Sequence, residues 1–155
     1  MKIIFHRSIL VLILSLIMFS CSEDDSNIDT TNEITVVDEI LNLVNEHRQS
    51  QSLSILAKSA TAEELAIDHS KYMISQGRIS HDNRDAKFQT LQEKENARSF
   101  GENVASGQNS AQSVMTGWLN SSGHRANIEG NYTHIGIAAV KDENGRFYYT
   151  QIFYR

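Results

Sequence analysis

The strongest constraint on the fold is a change of hydrophobic period near residue 134. Before it, apolar residues recur every three or four positions. After it come two runs, 134–140 and 146–153, rich in Ile, Val, Tyr and Phe. Between them lies Asp142-Glu143-Asn144-Gly145, the composition of a hairpin turn. Helices placed first and a strand pair placed last do not alternate into parallel β-α-β units. The pattern predicts an α+β domain in stacked layers with a small antiparallel sheet.

The helical part reads in pieces. Val37, Ile40, Leu41 and Val44 share a helical face, and Thr30 stands three residues before Glu33 as a capping box, so a first helix is expected over 33–49. A second has its own capping-box pair at Thr61 and Glu64. Leu65, Ala66, His69, Tyr72 and Met73 run along one face, and Gly77 forms the stop. His69, on that apolar face, reads as a hydrogen-bonded core histidine. His47 beside Arg48 reads as a helix-end residue. A short helix is expected over 88–94 and an irregular or extended piece over 99–107. Another helix follows over 111–120, where Val114 and Trp118 have core spacing, and it ends in Ser121-Ser122-Gly123-His124-Arg125.

At the other end of the chain, Lys2, His6 and Arg7 precede an uncharged, mostly aliphatic run over 8–20. This composition is that of a signal peptide, and the run is shorter than the roughly 20 apolar residues of a spanning helix. Cys21, the single cysteine, follows Met18-Phe19-Ser20 in a step that resembles a bacterial lipobox. Cleavage before Cys21 and its acylation would anchor the protein to a membrane. An acidic, polar tether over 21–32 would then lead to one domain over 33–155. The acidic tract after Cys21 resembles the surface-export signal of some Gram-negative lipoproteins. The expected location is therefore the outer membrane or cell surface of a Gram-negative bacterium. A net charge of −5 without a basic stripe argues against a nucleic-acid partner.

Several segments then carry a family resemblance. They are Leu43-Val44-Asn45-Glu46-His47-Arg48, Gly101-Glu102-Asn103-Val104-Ala105, Gly117-Trp118 through Gly123-His124-Arg125-Ala126-Asn127-Ile128, His134-Ile135-Gly136-Ile137-Ala138 and Tyr149-Thr150-Gln151-Ile152-Phe153. In this order they resemble bacterial SCP-like domains of the CAP superfamily, which includes cysteine-rich secretory proteins, insect venom antigens and plant pathogenesis-related proteins. The resemblance implies a three-layer α–β–α sandwich and a cleft lined by two histidines and two acids. It carries His81, in Ile79-Ser80-His81, onto the first histidine, Glu102 onto one acid and His134 onto the second histidine. The remaining acid falls near Ser121, which is no carboxylate, so the tetrad is incomplete. His124, in the Gly-His-Arg step, is a further candidate for the same cleft.

On this reading His81 and His134 are the candidate ligands of zinc or another divalent cation, with Glu102 orienting a ring or a metal-bound water. The alternative role for Glu102 is structural, satisfying backbone N–H groups in a Gly-Glu-Asn turn. There is no His-Glu-x-x-His helix, Gly-x-Ser-x-Gly elbow or phosphate-cradling glycine loop. The leading functional expectation is a cell-envelope binding or interaction module for a lipid, glycan or protein ligand. Lipid and sterol binding is the activity linked to several members of the superfamily. The alternative is a metal-assisted hydrolase using His81, Glu102 and His134, and a third reading is an inert scaffold with a vestigial site.

Overall fold

The computed structural model describes residues 30–155, with side chains from Val36 onward. The signal run and Cys21 lie outside the described residues. The elements are α1 (Thr30–Ser50), β1 (Ala57–Lys58), α2 (Ala60–Gln76), α3 (Arg84–Glu95), β2 (Phe100–Ser106), α4 (Ala111–Asn120), α5 (Ser122–Ile128), β3 (His134–Lys141) and β4 (Phe147–Tyr154). One sheet holds the strands in the order β1-β3-β4-β2. The expected hairpin is β3 and β4, antiparallel in register His134↔Tyr154 to Lys141↔Phe147. Asp142 Oδ1 closes its turn by accepting from the N–H groups of Asn144 and Arg146.

Side chains alternate across a strand, and here both faces are covered. Ile135, Ile137 and Ala139 of β3, with Tyr149 and Phe153 of β4, pack against Val37, Ile40 and Val44 of α1 and Val114, Met115 and Trp118 of α4. The opposite face presents Ala138, Ile152, Tyr154 and Phe100 to Ala62 and Ala66 of α2 and Leu91 of α3. Helices on both faces give the α–β–α sandwich. Each fully buried large aliphatic or aromatic side chain contributes about 1.5–3 kcal/mol, so the two seams hold the layers together.

Local details differ from the sequence reading. The first helix starts at Thr30, three residues before Glu33, and so takes in the end of the expected tether. The second is capped by Ser59, not by Thr61 and Glu64: Ser59 lies in extended conformation, and its side chain accepts from the Ala62 N–H. β1 decides this, because the N–H of Ser59 is bonded to Ile135 O, which ends the strand one residue before the helix. Thr61 instead donates to Glu95. Ser59→Ala is expected to cost about 1 kcal/mol in urea unfolding, since it removes the cap and also the hydroxyl that receives Tyr154 Oη at 3.1 Å. Gly77 does terminate the helix in left-handed conformation, φ 62°, with its N–H on Ile74 O. The third helix is longer than 88–94. The stretch over 99–107 contains a full strand, β2, paired antiparallel with β4, and the segment after Asn120 forms α5.

β2 is an edge strand, and its outward carbonyls are occupied. Alternate residues of an antiparallel edge turn their polar groups away from the partner strand. Here Phe100 O accepts from Arg84 at 3.2 Å, Glu102 O from Asn127 at 3.0 Å and Val104 O from Trp118 Nε1 at 3.3 Å. An exposed edge invites pairing with another chain. These three donors block it and fix the strand that carries Glu102.

Candidate functional site

Glu102 shares the strand face of Phe100 and Val104, so its side chain enters the layer between β2 and helices α2 and α3. The residue is only 4% exposed. Its Oε1 accepts from His81 Nδ1 at 2.8 Å, and its Oε2 forms an ion pair with Lys87 Nζ. His69 Nε2 stands 3.9 Å from Oε1 and bonds Ser80 O at 2.7 Å. A carbonyl only accepts, so His69 carries its proton on Nε2. It is the buried, hydrogen-bonded core histidine expected from the sequence, and it lies at the back of the site. Glu102 does not serve backbone N–H groups; both of its oxygens meet side chains.

Lys87 escaped the sequence reading. It is 6% exposed, and burial lowers its pKa against the opposing pull of Glu102. The available signal was its position four residues before Leu91. That spacing places both on one helix face, and both are buried. Lysine is almost never buried without a partner, so a lysine on an apolar stripe implies a carboxylate elsewhere in the chain.

The loop carrying His81 is held by α2. Asp82 Oδ2 receives Tyr72 Oη at 3.0 Å and Arg78 Nη2 at 2.7 Å. These bonds, Tyr72 first, keep the Asp82 carboxyl below its ordinary value. With Ser80 tied to His69, the His81 ring is delivered onto Glu102 while its side chain stays 52% exposed.

α5 supplies the other wall. Asn127 Nδ2 donates to Glu102 O and, at 2.9 Å, to Asn103 Oδ1. Asn103 Nδ2 donates to His124 O at 3.1 Å and to Gln151 Oε1 at 3.0 Å. Both carbonyls only accept, so the direction of every bond in the lock is determined. The Glu-Asn step of β2 and the His-x-x-Asn step of α5 therefore hold each other. His124 is brought within electrostatic range of His81: its pKa is lowered by burial first, then by His81.

His134 is not brought to this cluster. It lies on β3, in register with Tyr154 and, one strand beyond, Phe100. Strands are about 4.8 Å apart, so its backbone is roughly 10 Å from β2. Its ring stacks on Tyr154 at 4.8 Å, and Nδ1 meets Thr133 Oγ1 at 2.8 Å. The histidine nearest Glu102 after His81 is His69, at 3.9 Å, and His124 is brought from α5 toward His81. Ser121 sits at the α4–α5 junction as the cap of both helices, and among the described residues its side chain makes no hydrogen bond to the cleft.

This geometry does not fit a divalent ion on His81 and His134. The two rings belong to different neighbourhoods, and Glu102 has both oxygens engaged. Among the described residues no group of three or more His, Cys, Asp or Glu side chains is arranged to hold a metal. The buried imidazoles are expected to make the fold sensitive to acid. His69 and His124 both have lowered pKa values, burial being the main cause. Below about pH 6.5 the unfolded chain binds protons that the folded one resists, so stability falls as pH drops. Thermal unfolding between pH 7 and 5 is expected to show a falling midpoint, with a shallower slope in His69→Gln.

The layered fold and the paired Glu-Asn and His-x-x-Asn steps define a CAP domain. The chain belongs to the Cysteine-rich secretory protein (CAP) family, whose model matches residues 41–153. It is similar to two Bacillus subtilis proteins. Uncharacterized membrane protein YlbC is 33% identical over 81% of this chain and 35% of the relative, and Uncharacterized protein YkwD is 32% identical over 66% and 41%. The chain spans only about two fifths or less of these relatives' length. A crystal structure of an extracellular SCP-domain protein from Bacillus anthracis aligns with TM-score 0.68 and 33% identity over 79% of this chain and 41% of that one. An outer surface protein from Borrelia burgdorferi aligns with TM-score 0.71 over 83% and 96%, at 21% identity, a likeness of fold. The Bacillus relatives lend no support to a Gram-negative outer membrane.

Proposed function

We propose that this chain is an exported CAP domain, anchored through acylated Cys21, that binds a lipid, glycan or protein ligand at the mouth formed by His81 and His124. The extracellular description of the Bacillus anthracis relative and the apolar run before Cys21 support export. The observation that carries the binding reading is the burial of the Glu102 side chain, 1% exposed between His81 and Lys87. A general base must come within hydrogen-bond reach of the proton it abstracts. Glu102 is covered inside the domain and leaves a half-exposed imidazole surface for a ligand, which disfavours the hydrolase reading.

The test is ¹⁵N NMR of the full chain, titrated separately with phospholipid vesicles and with solubilised peptidoglycan fragments. One titrant is expected to shift His81 and His124 signals saturably, and His81→Ala to weaken that response at least tenfold. No response at these residues, together with hydrolysis of a model ester that disappears in Glu102→Gln, would replace binding by catalysis. Metabolic labelling with palmitate, lost in Cys21→Ser, checks the anchor independently.

A further inference from the structure

We infer that Lys87 is a positioning residue of this cleft: by pairing with Glu102 it holds the His81 proton on Nδ1 and turns Nε2 outward as a hydrogen-bond acceptor.

A neutral imidazole carries its proton on either nitrogen, and the partner of one nitrogen decides which. An ionised carboxylate only accepts, so beside it Nδ1 is the protonated atom. A protonated carboxyl could donate to Nδ1 and send the ring proton to Nε2. The tautomer of His81 is therefore decided by the charge on Glu102.

That charge needs a counter-ion, because a carboxylate in a 4% exposed residue is driven toward the neutral form unless paired. The candidates around it are few. His69 has its pKa lowered by burial and already gives its Nε2 proton to Ser80 O. His81 is half in solvent. Arg84 is directed to Phe100 O and lies over the Phe100 ring at 4.9 Å. Arg78 is spent on Asp82, and His124 faces His81 from α5 with a lowered pKa. Lys87 alone is buried and in direct contact with the carboxylate. Among the described residues Glu102 is its one close polar partner. The chain Lys87–Glu102–His81 thus runs from the interior to the surface and ends on Nε2, which has no hydrogen-bond partner among the described residues.

The consequence for recognition rests on the binding reading above. A neutral ring with Nε2 outward meets a ligand as an acceptor, so the group it recognises is an O–H or N–H donor, such as a hydroxyl or an amide.

The experiment needs no ligand, which separates its failure from that of the binding proposal. Long-range ¹H–¹⁵N spectra of histidine-labelled full chain, recorded where His81 is neutral, are expected to show the Nδ1–H form in the parent and in Lys87→Arg. In Lys87→Met, folded by its backbone spectrum, the ring is expected to leave that form, either for Nε2–H or for imidazolium. An Nε2–H ring in the parent, or an unchanged Nδ1–H ring in folded Lys87→Met, overturns the proposal. Should Lys87→Met fail to fold, alkaline titration of the parent decides. The His81 ring signals are expected to step at the same midpoint as the Lys87 ammonium, and their indifference to that midpoint overturns the proposal equally.

Discussion

Glu102→Ala is expected to lower the unfolding free energy by about 3–5 kcal/mol in urea denaturation, the usual cost of stranding one member of a buried ion pair. The loss has two parts. Lys87 keeps an ammonium in a 6% exposed position with no anion against it, and His81 loses the acceptor for Nδ1. Desolvation already works against the charged lysine while Glu102 is present. Without Glu102 the lysine must shed its proton or draw water into the layer between α3 and β2. The paired replacement Lys87→Met/Glu102→Leu removes both charges and fills the volume, and it is expected to recover most of the loss, since buried pairs often exchange for apolar residues at little net cost. A double-mutant cycle reads the coupling directly. If Glu102→Ala cost less than 1 kcal/mol, Lys87 would not depend on this carboxylate, and the internal counter-ion would be the wrong description.

The second large effect is expected at Gly136, where β3 passes beneath the start of α2. A Cβ there would fall well inside van der Waals contact with the backbone of Ala62 and Glu63. Backbone atoms cannot swing aside as the end of a side chain does, so the whole first turn of α2 would have to lift. Gly136→Ala is expected to destabilise by about 3 kcal/mol or more, at the upper end of overpacking effects. Shortening Ala62 to glycine gives no relief, because the obstructing atoms are main chain. The damage should reach the cleft, since α2 carries His69 and the Ser59 cap. Gly123→Ala is the control: nothing stands within 4 Å of its added Cβ, and within α5 alanine is worth up to about 1 kcal/mol more than glycine. Chemical denaturation of the two variants should therefore move in opposite directions.

The parts of the fold legible in the sequence were those governed by neighbours within one turn or one hairpin. Val37, Ile40 and Val44, the Gly77 stop and the Asp142–Gly145 turn follow from local spacing and backbone preference, and together they imply helices followed by an antiparallel pair. β2 was less legible because its residues Phe100 to Ala105 are buried on both faces, so no polar alternation marks a strand, and Glu102 and Asn103 look like turn residues. The capping residue of α2 was missed because the parallel pairing of β1 with β3 moves the helix start to Ser59. At the site, His81, Glu102, His124 and His134 were all named through motif resemblance; His81 is hydrogen-bonded to Glu102, whereas His134 stacks on Tyr154. Only the tertiary structure could decide this, because β4 lies between His134 on β3 and Glu102 on β2, and sequence spacing carries no information on strand order. Lys87 was hidden for the same reason. Its burial is tolerable only beside Glu102, 15 positions away in sequence, and a charge's partner is set by which surfaces pack together. Local patterning determined the elements; the desolvation of charges between α3, α5 and β2 determined which residues make the site.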